Sequence, residues 1–296
     1  MAYVKLENGL FKVKKIYLTT RLFNLDDKLR TCKLEKYLKE NFNVKIYMPY
    51  RDSDEENISQ NNWKQEIFKM DVMAIEESDL LIGYLDGPEF DEGVGFEIGY
   101  AVTRGKQVII LNTDFISYST SKNIMKSIDP LVECLNIDVI TLDNYYIDSQ
   151  DFCDNMKELS EQLLKLIHID SYKKKIIIER HEAKIEYFIE TGSSRIFNYF
   201  VRDKKSSNRM DTQCGKDDLD NILSSKKVYI FSNGAEMHFG SAIIAGICYG
   251  YKIPFYIVDD KKIYLVGHNN ILMKTNLMID VASAGYVDIE EFLSAF

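Results

Sequence analysis

The chain has 296 residues, 46% of them hydrophobic and 28% charged, with a formal net charge of −9. That length suggests two domains of ordinary size, each with ample core. The acidic balance argues against duplex nucleic acid or an anionic membrane as the main partner. No stretch is apolar for long enough to span a bilayer, and the start, MAYVKLENGLFKVKK, lacks an apolar signal core. Five scattered cysteines (Cys32, Cys134, Cys153, Cys214, Cys248) form no CxxC. Reduced thiols in a cytoplasmic protein are therefore expected, with no metal centre.

In chain order, residues 16–19 read as a first strand. Residues 25–41 read as an amphipathic helix with Leu29, Cys32, Leu34, Tyr37 and Leu38 on one side. Residues 44–48 give a second strand ended by Pro49, and 52–62 an acidic loop. Residues 63–77 read as a helix carrying Asp71. An apolar strand at 80–85, a helix at 95–104 and a strand at 108–111 then make a βαβ unit. Residues 139–142 suggest a further strand, and a helix over 151–169 would close a first domain near residue 170. Beyond the basic run 173–175, residues 176–178 read as a strand, 182–200 as helical and 202–217 as a polar, mobile loop.

The loop 86–95 of the central unit holds three glycines and four carboxylates. In an open parallel sheet such a loop lies at the carboxyl end of its strand, where ligands bind. Glu97 is expected in the first helical turn, where the helix dipole favours an ionised carboxylate, and such a group can act as a nucleophile.

Four separated stretches agree in order and spacing: IYLTTRLF (16–23), MPYRD (48–52), KMDVMAIEESDLLIGYLDG (69–87), and DEGVGFEIGYA (91–101) followed by GKQVIIL. Over residues 14–115 they resemble the nucleoside 2-deoxyribosyltransferase family. The resemblance implies Glu97 as the nucleophile on C1′ of a deoxynucleoside, Asp71 as the base-side acid and Tyr17 as the tyrosine orienting Glu97. It also implies Asp91 as a contact to the sugar 5′-hydroxyl and Phe23 as a base-lining residue. Gly87 and Gly93 of the loop fall in the same substrate-facing set. No cofactor is implied.

The second half repeats the first. Shifted by 147 residues, 71–132 pairs with 218–279 without a gap, with eleven of 62 positions identical. Asp71 meets Asp218, Gly87 meets Gly234, Gly93 meets Gly240 and Gly99 meets Gly246. The expected fold is α/β: two tandem flavodoxin-like or Rossmann-like parallel-sheet domains, 1–170 and 171–296, forming a pseudo-dimer. Glu97 meets Ile244 and Asp91 meets His238, so the second copy lacks both acids, while Asp129 of the first copy meets Asn276 in the run NLMID. In the family an asparagine in an NLM run reaches the neighbour's site and contacts the 5′-hydroxyl. Asn276 is therefore expected to complete the site of Glu97.

The reading that follows is base exchange on 2′-deoxyribonucleosides through a deoxyribosyl-glutamate intermediate. The partners would be deoxynucleosides and nucleobases, and beyond the internal pair a further homo-oligomer is open. A nucleoside or nucleotide N-glycosidase and a nucleotide-sensing binding protein are the alternatives.

Overall fold

The computed structural model describes residues 13–21, 24–53, 62–85, 91–113, 118–119, 125–126, 129–135, 137–141, 161–163, 183–190, 212–232, 237–259, 265–266, 272–273 and 275–295. The first half contains β1 (Lys15–Thr20), α1 (Leu25–Phe42), β2 (Lys45–Tyr47), α2 (Pro49–Asp52), α3 (Trp63–Glu77), β3 (Leu80–Leu85), α4 (Glu92–Thr103), β4 (Gln107–Asn112), β5 (Tyr118–Ser119), β6 (Met125–Lys126), α5 (Pro130–Cys134) and β7 (Asp138–Thr141). The second contains β8 (Phe188–Glu190), α6 (Thr212–Leu223), β9 (Val228–Phe231), α7 (Phe239–Tyr251), β10 (Phe255–Asp259), β11 (Leu265–Val266), β12 (Leu272–Met273), α8 (Leu277–Ala282), β13 (Gly285–Asp288) and α9 (Ile289–Ala295). The expected helix at 151–169 and the stretch 173–178 lie almost wholly outside the described residues. Among the described residues no helix is long and apolar enough to cross a membrane.

Two compact units divide the chain. One holds residues 1–90, 105–116 and 137–175, the other 91–104, 117–136 and 176–296. The first unit carries an all-parallel sheet in the order β2-β1-β3-β4-β7, the flavodoxin-like arrangement of five strands. Its inner strands are buried almost throughout, as parallel strands covered on both faces must be. Leu34, Leu38 and Phe42 of α1 pack with Ile16, Leu18, Ile46, Ile82 and Leu111, and each fully buried side chain of this kind stabilises by about 1.5–3 kcal/mol. The buried face of α1 is Thr31, Leu34, Leu38 and Phe42. Leu29 is 51% exposed and Cys32 is exposed, so the expected stripe is rotated. Phe42 at the end of the helix joins Val44 and Ile46 in the same buried cluster.

The second unit carries a four-stranded parallel sheet in the order β13-β10-β9-β8. Its pairing repeats that of the first sheet 147 residues earlier. Leu81 pairs with Val108 and Val228 with Phe255, and Ile109 pairs with Asp138 and Tyr256 with Gly285. The β5–β6 and β11–β12 hairpins keep the same offset. At the front the spacing contracts, since Tyr17 pairs with Leu81 but Phe188 with Val228.

Three expected boundaries are corrected. Residues 188–190 form strand β8 on the sheet edge, not a helix, because Tyr187 and Ile189 pack on the cluster of Tyr229, Phe231 and Phe292. Helix α6 begins at Thr212, inside the stretch read as a loop. Helix α4 begins at Glu92, capped by the Asp91 side chain on Val94 N. Glu97 therefore lies in the second turn, beyond the reach of the dipole effect.

Although α4 lies in sequence between β3 and β4, it belongs to the second unit, where it runs beside α7 in the same direction. A Cβ on Gly99 would come 2.0 Å from the Ile243 carbonyl oxygen, and one on Gly246 would come 2.0 Å from that of Phe96. Because 243 and 246 are the counterparts of 96 and 99, each helix presents the same groove to the other. Only glycine permits so close a backbone approach.

Candidate functional site

In the first unit the sheet order reverses between β1 and β3, the place where such sheets bind ligands at their carboxyl ends. Tyr17 of β1 is fully buried and stacks on Tyr47 of β2, with ring centroids 5.4 Å apart and planes 18° apart. The Tyr47 hydroxyl donates to Asp71 Oδ1 at 3.0 Å. Asp71 is buried on α3. Two of the sequence-derived residues, Tyr17 and Asp71, are thus linked through a tyrosine that sequence reasoning passed over. Phe23 and Gly87 lie outside the described residues.

In the second unit Asp91, Gly93 and Asn276 form one corner at the start of α4. Asp91 Oδ1 accepts from Val94 N at 3.0 Å. A Cβ on Gly93 would meet Asn276 Nδ2 at 2.8 Å and Asp91 Oδ1 at 2.9 Å. Asn276 caps α8, its Oδ1 accepting from Met278 N at 2.9 Å. That bond commits Oδ1, which would lie 3.1 Å from a Cβ on Gly93, and leaves Nδ2 as the donor nearest to it. Glu97 follows Gly93 by four residues, on the same side of α4, and is buried at 4% exposure.

Glu92 holds this corner from behind. Its Oε2 accepts from Thr275 Oγ1 at 2.9 Å and from Asn276 N at 3.2 Å, and its Oε1 accepts from Met237 N. Sequence reading missed Glu92 and Thr275, because their partners lie about 150 to 180 residues away and no motif marks them.

Burial pushes the Glu92 carboxyl up to about 7, the neighbouring Asp91 adds to the rise, and the three donors oppose it. The folded state therefore keeps a proton that the unfolded chain gives up near pH 4.5. Stability is fully present below that pH and declines as pH rises through about 7. At about 1.4 kcal/mol per pH unit the decline totals about 3 kcal/mol. Urea denaturation at pH 5 and pH 8 should read most of it, and Glu92→Gln should flatten the difference. An unaltered difference in the variant would assign it to other groups.

The counterpart corner in the same unit has its chemistry exchanged. His238 stands for Asp91, Gly240 for Gly93 and Asp129 for Asn276. His238 Nδ1 accepts from Gly240 N at 3.3 Å and lies 3.5 Å from Asp129 Oδ2. One nitrogen cannot both accept and donate, and its place as the helix cap favours the first contact. Ile244, fully buried, stands for Glu97. Among the described residues no group of three or more His, Cys, Asp or Glu could hold a metal ion.

The strand order of the first unit defines an open α/β protein. Residues 16–167 match the family model described as Nucleoside 2-deoxyribosyltransferase, and the chain belongs to that family. It is 34% identical over 90 residues to the nucleoside deoxyribosyltransferase of Lactobacillus johnsonii, covering 29% of this chain and 60% of that protein. It is 28% identical over 83 residues to the nucleoside deoxyribosyltransferase of Lactobacillus leichmannii, covering 25% of this chain and 53% of that protein. The chain thus spans between half and three-fifths of the length of these two relatives. The solved structure of the Clostridium botulinum CMP N-glycosidase is 22% identical, covers 49% of this chain and 98% of that chain, and has a TM-score of 0.32.

Proposed function

We propose that the protein exchanges nucleobases on 2′-deoxyribonucleosides. The observation that carries this reading is the corner of Asp91, Gly93 and Asn276, one helical turn before the buried Glu97. A sugar hydroxyl both donates and accepts, and the corner offers it a carboxylate acceptor and an amide donor. Glu97 would attack C1′, and the C1′–N bond would break with its electron pair passing to the base nitrogen. Asp71, held by Tyr47, would assist by protonating the leaving base. A nitrogen of the second base, giving its proton to the Asp71 carboxylate, would then attack C1′ and release Glu97, which completes a retaining double displacement. Tyr17 would have the orienting role that the resemblance implies for it.

We also infer that the chain is a tandem duplication in which the second copy kept the asparagine and lost the nucleophile. This is supported by the constant 147-residue offset of the strand pairings and by the reciprocal glycine contacts of α4 and α7.

The test is to incubate the protein with a deoxynucleoside and a second free base and to separate the products. Appearance of the new deoxynucleoside supports exchange. Free deoxyribose alone would move the reading to an N-glycosidase, and no turnover would favour a binding protein. A 5′-monophosphate brings a second negative charge towards Asp91, where like charges a few ångström apart repel strongly. The monophosphate should react with a kcat/KM about ten-fold or more below that of the nucleoside. Equal efficiencies would overturn the role given to Asp91.

A further inference from the structure

We propose that Glu92 is a positioning residue that fixes the Asn276 amide at Gly93. It grips the backbone N–H of Asn276, the hydroxyl of the preceding Thr275 and the Met237 N–H at once. The proposal rests on the reading of Asn276 as the sugar-side donor.

The fold itself does not call for a carboxylate here. Burying one is costly even when it is hydrogen-bonded. At the counterpart helix start the same position is Phe239, buried at 4% exposure, and the counterpart of Thr275 is Ile128. In sequence, an apolar pair therefore stands opposite the polar pair that is hydrogen-bonded at the start of α4. The polar pair stands on the side where the asparagine caps its helix and Glu97 follows on α4. The geometry accounts for the difference. Asn276 Oδ1 is committed to Met278 N, so the side chain turns with its backbone. Whatever holds Asn276 N holds Nδ2, and a hydrogen-bonded buried carboxylate permits less play than apolar packing.

A double-mutant cycle tests this. Glu92→Gln removes the charge but keeps the shape, and Thr275→Val removes one donor with little change of volume. Each should lower kcat/KM for base exchange about ten-fold, because a misplaced sugar hydroxyl also misaligns C1′. In an Asn276→Ala background, neither should cost more than about two-fold, since residues acting through a shared partner are not additive. Equal losses in both backgrounds, or none in either, would overturn the proposal. Hydrogen exchange supplies a readout that does not depend on activity: protection of the Asn276 and Met237 amides should fall in Glu92→Gln. Unchanged protection would also overturn the clamp. A wild-type protein without exchange activity would instead sink the functional reading, and the amide protection would still decide whether Glu92 holds the turn. If Glu92→Gln does not fold, Thr275→Val carries both measurements.

Discussion

Glu97→Gln should leave a folded protein that no longer exchanges bases. The carboxamide keeps the volume of a side chain that is 4% exposed, whereas alanine would open a cavity and confuse lost chemistry with lost stability. The amide cannot form the ester to C1′, and without that bond neither half of the double displacement proceeds. Removing the nucleophile of a covalent mechanism costs about four to six orders of magnitude, so turnover should fall by at least about three. Product formation under saturating deoxynucleoside and acceptor base checks this, with circular dichroism to confirm the fold. Activity above about a hundredth of the wild type, well outside that range, would remove Glu97 from the nucleophile's role.

Gly99→Ala should destabilise the protein sharply, against the usual sign. In an exposed helix the change from glycine to alanine gains about 1 kcal/mol. Here the new Cβ would lie 2.0 Å from the Ile243 carbonyl oxygen. That atom is backbone, so α7 must move as a body and loosen the packing of Phe96 and Tyr100 on Tyr249. Forced overpacking of this kind costs about 1–3 kcal/mol and at times more, and this contact belongs at the upper end. Gly246→Ala should behave alike, since it meets Phe96 O at the same distance. Thermal and denaturant unfolding of the two variants would read the loss. A neutral or stabilising effect at either position would show that the helices are not in such close contact.

Much of this was legible before any coordinates. The apolar runs around residues 80–85 and 108–111 announce buried parallel strands, and the constant offset between the halves survives in the strand pairings themselves. The start of α4 was not legible. DEGVG resembles a loop because its glycines are poor helix formers, yet Gly93 and Gly95 stand in a helix to admit Asn276 and Phe239, partners distant in sequence. The edge strand β8 was hidden for a related reason: its aromatic run suits helix or strand until the cluster around Phe292 selects one. The resemblance singled out Asp71, Asp91 and Glu97, and the structure adds a tyrosine beside Asp71 and a carboxylate beside Asn276. Hydrogen bonds between residues so far apart leave no trace in local spacing.

The placement of α4 also bears on how the protein is made. A ribosome that has delivered the first 170 residues has released the strands on either side of this helix but not α7, the surface on which it packs, whose sequence begins 147 residues after that of α4. For that interval the groove of Gly95 and Gly99 has no partner, and the nascent chain carries an apolar helix that it cannot yet bury. Such surfaces draw chaperones or unwanted neighbours during synthesis. The long sequence separation of the contact makes its closure a late, slow event. Assembly of the corner that holds Asn276 must come later still, when the segment around that residue has left the exit tunnel.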